Sequence, residues 1–315
     1  MDVSIVVPLY NEDESLPELS RWIDSVCNKN KLSYELILVD DGSSDSSWKV
    51  IGELATENKN IRASSFRRNY GKAAALHTGF AMAKGEVVIT MDADLQDSPD
   101  EIPGLVRMVK EDGYDLVSGW KKKRYDPFIK RTTSKFYNAT ARRASGIKLH
   151  DFNCGLKAYR NDVIKSIEVF GEMHRYIPML ARQAGYHRIG EKVVQHQARK
   201  YGVTKYGLDR FIKGYLDLLT ITFITRFGKS PMHLFGLLGS LVFFAGFALA
   251  AYLGINKLVF ISKGLRAPLV TDSPYFYIAL TAMVIGTMLF MTGFIGELIT
   301  RNSTTRNEYL IKESI

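Results

Sequence analysis

The chain has 315 residues, 46% of them apolar, and a formal net charge of +9, enough for one large domain or two ordinary ones. Its two cysteines, Cys27 and Cys154, have no metal-ligand spacing, which sets a thiolate metal cluster aside and reads as reduced thiols of a cytoplasmic domain. The average composition also hides a break near residue 234, beyond which long uncharged stretches begin.

In chain order, Val3–Leu9 is an apolar, β-branched run that reads as a strand and not as a signal peptide. Glu14–Asn28 is helical with Pro17 in its first turn, and Glu35–Val39 is a second strand ending at Asp40-Asp41-Gly42-Ser43. Ser44 or Asp45 caps a helix to about Asn58, Ile61–Phe66 is a third strand, and Ala-rich Lys72–Lys84 is a helix stopped by Gly85. Val87–Met91 is a fourth strand and Leu116–Ser118 a fifth. Such alternation predicts a mostly parallel α/β sheet covered on both faces, with ligands at the carboxyl ends of its strands. Tyr10-Asn11-Glu12, Asp40-Asp41 and Asp92-Ala93-Asp94 all follow strand ends, so three polar clusters converge on one edge. No G-x-G-x-x-G follows the first strand, which argues against a dinucleotide cofactor.

Asp92 and Asp94, two apart along an extended chain, present oxygens to the same side and suit a hard cation such as Mg²⁺ or Mn²⁺ that shares its shell with phosphates. After them Ser98, Pro99 and Glu101 have the spacing of a capping box at a helix start. Residues 120–150 are basic, with Lys121, Lys122, Lys123, Arg124, Lys130, Arg131, Arg142, Arg143 and Lys148. In a membrane-anchored chain such a loop is better placed for an anionic lipid head group than for nucleic acid. Tyr206 to Phe227 shows apolar residues at helical spacing, the pattern of an interfacial amphipathic helix.

Leu234–Ile255 and Tyr275–Gly296 carry no charge and are each about 22 residues, enough to cross a hydrocarbon core of roughly 30 Å. Lys and Arg crowd the segment before the first span, Arg199 to Lys229, and recur in the tail at Arg301, Arg306 and Lys312; the connector has only Lys257, Lys263 and Arg266. This bias places both termini, and the front domain, in the cytoplasm.

Together these motifs resemble the family 2 glycosyltransferases that load a sugar onto a polyprenyl phosphate. The resemblance covers essentially the whole chain. It rests on Val6-Val7-Pro8-Leu9-Tyr10-Asn11-Glu12, Val39-Asp40-Asp41-Gly42-Ser43-Ser44-Asp45, Arg68-Asn69-Tyr70-Gly71-Lys72 and Met91-Asp92-Ala93-Asp94-Leu95-Gln96-Asp97-Ser98-Pro99. It continues through Asp151-Phe152-Asn153-Cys154-Gly155-Leu156-Lys157, Glu172-Met173-His174-Arg175-Tyr176-Ile177-Pro178 and Gly202-Val203-Thr204-Lys205-Tyr206. Thr204 stands where many relatives carry Ser, which keeps the hydroxyl. The resemblance implies a GT-A, Rossmann-like catalytic domain over residues 1–205, an interfacial helix region over 206–230, and two transmembrane helices at about 234–255 and 275–298.

It also implies a nucleotide-diphosphate sugar donor, foremost a UDP-sugar such as UDP-glucose, with GDP-mannose as the alternative. By motif, Pro8, Tyr10, Asn11, Glu12 and Asp40 would frame base and ribose, with Asp41 beside them. Asp92, Asp94 and Gln96 would serve metal and diphosphate. Arg124, Arg131 and Ser134 would grip the acceptor phosphate, and Arg199 and Lys205 would approach the donor phosphates. Asp151 would orient the acceptor or a sugar hydroxyl, or cap local structure, and His174 with Glu172 and Arg175 would order a loop under the sugar. Cys154 reads as a small buried residue. A processive polysaccharide synthase is disfavoured because no Q-x-x-R-W occurs, and a non-catalytic nucleotide-sugar-binding scaffold is the reading from another class. Partners would be the donor, the lipid and the membrane, without nucleic acid, and a homo-oligomer is left open.

Overall fold

A computed structural model describes residues 1–122, 138–139, 141–143, 145–169, 171, 173–197, 200–201, 223, 227, 230–266 and 269–301. The chain falls into two compact units, Met1–Thr222 and Phe223–Ile315.

The first unit is built on a seven-stranded sheet. Its strands are β1 (Val3–Leu9), β2 (Tyr34–Asp40), β3 (Ile61–Ser65), β4 (Val87–Thr90), β5 (Leu116–Trp120), β6 (Lys157–Arg160) and β7 (Ile189–Val193), in the spatial order β3-β2-β1-β4-β6-β5-β7. β1 pairs in parallel with β2 and β4, β2 with β3, and β5 with β7; β6 alone runs antiparallel, between β4 and β5. Every residue of β1 and β2 is buried, as expected of parallel strands covered on both faces, where apolar residues run on without alternating. Helix α1 (Leu16–Lys29) lays Leu16, Leu19, Ile23, Val26 and Cys27 on the core, and α4 (Ile102–Lys110) does so with Ile102, Leu105, Val106 and Val109. Among the described residues this unit also has the helices α2 (Ser47–Glu57), α3 (Lys72–Met82), α5 (Asn161–Lys165) and α6 (Ile177–Gln183).

The reversed β6 and the half-exposed β7 were not expected from the sequence. Two local expectations change. β4 stops at Thr90, so Asp92 and Asp94 stand in the turn beyond the strand, although they stay half-buried while Ala93 and Leu95 are buried. The capping box is only half made: Ser98 Oγ accepts the Asp100 N–H at 3.3 Å, but Glu101 turns away to Lys192 and to the Gln195 N–H.

The second unit holds helices α7 (Pro231–Ser262) and α8 (Pro274–Arg301), both long and apolar enough to span a membrane. Each runs past the uncharged stretch that announced it, because a helix entering water needs no change of backbone, only polar side chains. The two pack at near backbone contact. A Cβ on Gly239 would fall 2.6 Å from the Phe290 nitrogen, and one on Gly286 would fall 2.5 Å from the Phe243 nitrogen. Small residues at the seam are how helices associate where no water drives them together. Leu241, Phe244, Phe247, Ile278, Met288 and Ile295 face outward and exposed, as lipid contact requires.

Candidate functional site

The carboxyl ends of β1, β2 and β4 bring the predicted acidic clusters to one edge. Pro8 is a buried residue of β1, paired across the sheet with Val39, and Tyr10 lies just beyond the strand, half-buried. Asn11 adopts a left-handed conformation, φ 54°, which a short polar side chain tolerates. Its N–H donates to Ser43 Oγ at 2.9 Å and its Oδ1 accepts the Ser44 N–H at 2.8 Å. The Glu12 N–H donates to Ser47 Oγ at 2.9 Å. Asp45 Oδ1 accepts the Ser47 N–H at 2.9 Å, although the N-cap position of α2 falls to Ser46 and not to Ser44 or Asp45. The turns after β1 and β2 are thus one laced unit.

Asp40 and Asp41 are both buried and both committed to their own surroundings. Asp40 accepts the Ser43 N–H at 2.9 Å and Ser65 Oγ at 2.7 Å. Asp41 accepts the N–H groups of Tyr70 at 2.7 Å and Gly71 at 2.9 Å. Burial, with Asp40 alongside, pushes the Asp41 carboxyl up in spite of those two donors. Gly42 between turn and sheet has φ 72°, and a Cβ there would fall 2.5 Å from the Arg68 carbonyl carbon, so no other residue fits.

The turn after β4 is arranged differently. Asp92 forms an ion pair with the Lys72 ammonium at the start of α3, and each side chain keeps about a third of its surface exposed (33% and 31%). Burial alone would raise the Asp92 carboxyl, but the charge and hydrogen bond of Lys72, with help from Lys121 and His174, hold it well below the usual carboxylate range. Asp94 Oδ1 accepts the Gln96 N–H at 3.2 Å. Leu95 next to it has φ 58°, a strained conformation for a bulky residue and one that concentrates at functional turns. Asp97 is fully buried and pairs with Lys121 at 2.7 Å.

The segment 151–157 closes over this turn. A Cβ on Gly155 would fall 2.6 Å from Asp92 Oδ2, so the bare backbone of Gly155 lies against the carboxylate. Asp151 is buried, with its Oδ1 accepting the Asn153 N–H at 3.0 Å. The buried Lys157 ammonium donates to the Cys154 carbonyl, and burial pushes its pKa down. Cys154 is buried and its thiol is pushed up to about 12, which fits a packing residue and no nucleophile. His174 is buried in a short turn, Met173–Arg175. Arg124, Arg131, Ser134, Glu172, Arg199 and Lys205 lie outside the described residues, as does most of the predicted interfacial helix.

Sequence reasoning counted Lys121 in the basic run suited to an anionic head group and met Lys72, Gly155 and Lys157 inside motifs, but gave none of the four a role at the acidic turn. Among the described residues no three His, Cys, Asp or Glu side chains form a ready metal cage. The donor set fits instead a hard cation that takes two carboxylate oxygens from Asp92 and Asp94 and completes its shell with water and phosphate. The Lys72 ammonium marks where positive charge is already favoured.

The model of the family described as glycosyl transferase family 2 matches residues 4–168. The chain is 35% identical over 307 residues to a dodecaprenyl-phosphate galacturonate synthase of Rhizobium johnstonii, covering 96% of this chain and 88% of that one. It is 38% identical over 317 residues to an undecaprenyl-phosphate 4-deoxy-4-formamido-L-arabinose transferase of Proteus mirabilis, covering 99% and 94%. Among solved structures, a mannosyl-3-phosphoglycerate synthase from Rubrobacter xylanophilus superposes with a TM-score of 0.57 at 15% identity, over 71% of this chain and 74% of that one. A glucosyl-3-phosphoglycerate synthase from Mycobacterium tuberculosis does so with 0.54 at 20%, over 71% and 78%. At those identities the structures establish the GT-A fold.

Proposed function

We propose that this chain, which belongs to glycosyl transferase family 2, moves a sugar from a nucleotide-diphosphate donor onto a polyprenyl phosphate at a membrane surface. That it is a glycosyltransferase follows from the family; the acceptor class is supported by the two near full-length relatives and by the pair of apolar helices. The observation that carries the reading is the half-exposed Asp92–Asp94 turn at the sheet edge, where Lys72 keeps Asp92 ionised.

In this reading the bond from the anomeric carbon to the donor diphosphate breaks, and an acceptor phosphate oxygen bonds to that carbon from the opposite face, inverting it. A phosphate monoester has a second pKa of about 6, so the acceptor arrives as a dianion and needs positioning more than deprotonation. A bound Mg²⁺ or Mn²⁺ would neutralise the departing diphosphate. Asp92 and Asp94, with Gln96, would hold that ion. Asp40 and Asp41, already hydrogen-bonded to their own backbone and serines, fix the pocket in which Pro8, Tyr10, Asn11 and Glu12 meet the nucleoside. Asp151 orients a hydroxyl of the sugar beside Asp92, Arg124 and Arg131 with Ser134 grip the acceptor phosphate, and Arg199 and Lys205 meet the donor phosphates.

A UDP-sugar such as UDP-glucose is our donor, with GDP-mannose the alternative. Thermal stabilisation of the purified chain by UDP or by GDP in Mn²⁺ separates them, because a ligand that binds the native state raises the midpoint by mass action. Transfer of labelled sugar to polyprenyl phosphate, lost in chelator and restored by Mg²⁺ or Mn²⁺, tests the reaction; full turnover in chelator would overturn the metal. Arg131→Ala should raise KM for the lipid and spare nucleotide binding, whereas Lys122→Ala should do little. We put both termini in the cytoplasm on the Lys and Arg bias around the spans. Thr271→Cys in the connector should then label from outside intact cells, the buried Cys27 and Cys154 staying silent.

A further inference from the structure

Glu191, on the half-exposed strand β7, lies in none of the motifs that brought the other site residues together, yet it holds the backbone of Asp151. Its Oε1 accepts the His150 N–H at 2.8 Å and the Asp151 N–H at 3.1 Å. Its Oε2 meets His150 Nδ1 at 2.7 Å. The His150 ring in turn stacks on Trp120, the last residue of β5, with ring centres 4.1 Å apart and planes 12° from parallel. The Asp151 carbonyl accepts Ser118 Oγ at 3.2 Å from the same strand. Trp120 and Ser118 are neighbours of Val193 and Glu191 in the β5–β7 register, so one rigid strand pair holds Asp151 by its N–H and by its C=O.

A carboxylate that accepts two successive backbone N–H groups fixes the course of the chain past the strand pair, and so the direction in which the Asp151 side chain is presented. The Glu191 side chain is only 12% exposed, which strengthens those bonds relative to a solvated pair. We propose that Glu191 is a positioning residue for the transfer reaction: it sets Asp151 at the sugar while touching neither substrate itself. The inference rests on the reading of Asp151 as a group that meets the transferred sugar.

The test is a double-mutant cycle on the full-length protein, reading kcat, acceptor KM and nucleotide Kd. Glu191→Ala should lower kcat about 10- to 100-fold, the usual effect of removing the partner that orients a functional side chain. Nucleotide Kd should stay within about twofold, since the donor cluster after β1 and β2 is untouched. Glu191→Gln should restore most of the rate. Its amide oxygen still accepts the two N–H groups and its NH₂ donates to His150 Nδ1. In an Asp151→Asn background Glu191→Ala should cost little more, because the group it positions is already gone. If Asp151→Asn is fully active, the reading of Asp151 falls and this inference with it. If Asp151→Asn is slow but Glu191→Ala is normal, or the two losses multiply, the inference alone is overturned. Where the double variant falls below detection, the split between kcat and nucleotide Kd and the rescue by Gln decide. Where Glu191→Ala does not fold, Glu191→Asp runs the same cycle with the carboxylate kept and its reach shortened.

Discussion

The turn after β2 and the turn after β4 both end a buried parallel strand beside β1, and both carry two aspartates, yet they are balanced by opposite means. Asp40 and Asp41 are buried and satisfied by the N–H groups of Ser43, Tyr70 and Gly71 and by the Ser65 hydroxyl. Asp92 is half-exposed and balanced by the side chain of Lys72. A carboxylate neutralised by backbone dipoles cannot let go of them without unfolding a turn. One neutralised by a flexible ammonium can trade that partner for another cation at little structural cost. Acidic residues at the same edge of one sheet therefore divide into those locked to backbone donors and those whose partner is an exchangeable side-chain cation.

The largest effect that would sharpen this division is at Asp94. Asp94→Asn should lower transfer about 100-fold or more while the thermal midpoint stays near that of the parent. A fall in midpoint comparable to the loss in rate would erase the distinction. Asp41→Ala should behave the other way. It strands two buried N–H groups and should cost about 1–3 kcal/mol of stability by denaturant unfolding, with a smaller change in nucleotide affinity. An affinity loss exceeding the stability loss would move Asp41 out of the locked group.

Lys72→Met probes the ammonium itself. Lys72 holds the Asp92 pKa down, so that carboxylate's contribution is present above its unfolded pKa and lost only as pH falls through the lower folded value. Without Lys72, burial is opposed only by Lys121 and His174, and the loss comes at higher pH. The acid limb of the kcat/KM profile should therefore move upward, with the alkaline side unchanged; an unmoved limb would show that Lys72 does not set the charge of Asp92. The smallest effect is at Ser65→Ala, which removes one of the donors to Asp40 and should cost about 0.5–1.5 kcal/mol with normal turnover.

Much of this was legible in the chain. Strands such as Val3–Leu9 declare themselves because a fully covered strand needs an unbroken apolar run, and α7 and α8 because each holds an uncharged stretch of about 22 residues. The acidic edge followed from where those strands stop. β6 and β7 did not show: Lys157-Ala158-Tyr159-Arg160 is short and mixed, and Ile189–Val193 is half-exposed, so neither carries a clear period. The two kinds of aspartate were equally hidden, because what separates Asp41 from Asp92 is a pair of N–H groups from Tyr70 and Gly71, about 30 residues away, and an ammonium from Lys72. Glu191 left no mark, since a side chain that binds backbone N–H groups needs no particular residue at the other end.

The reversed strand β6 has a further consequence. β5 and β6 pair antiparallel, with Ser118 opposite Lys157, so the chain leaves the sheet after Trp120 and returns at Lys157 to a point one strand away. The stretch between them thus starts and ends on neighbouring strands. Closing such a loop costs only about 0.6 kcal/mol more for each doubling of its length. A change of length within that stretch is therefore cheap in chain entropy, but not at its two ends, where Lys121 pairs with Asp97 and Gly155 lies against Asp92.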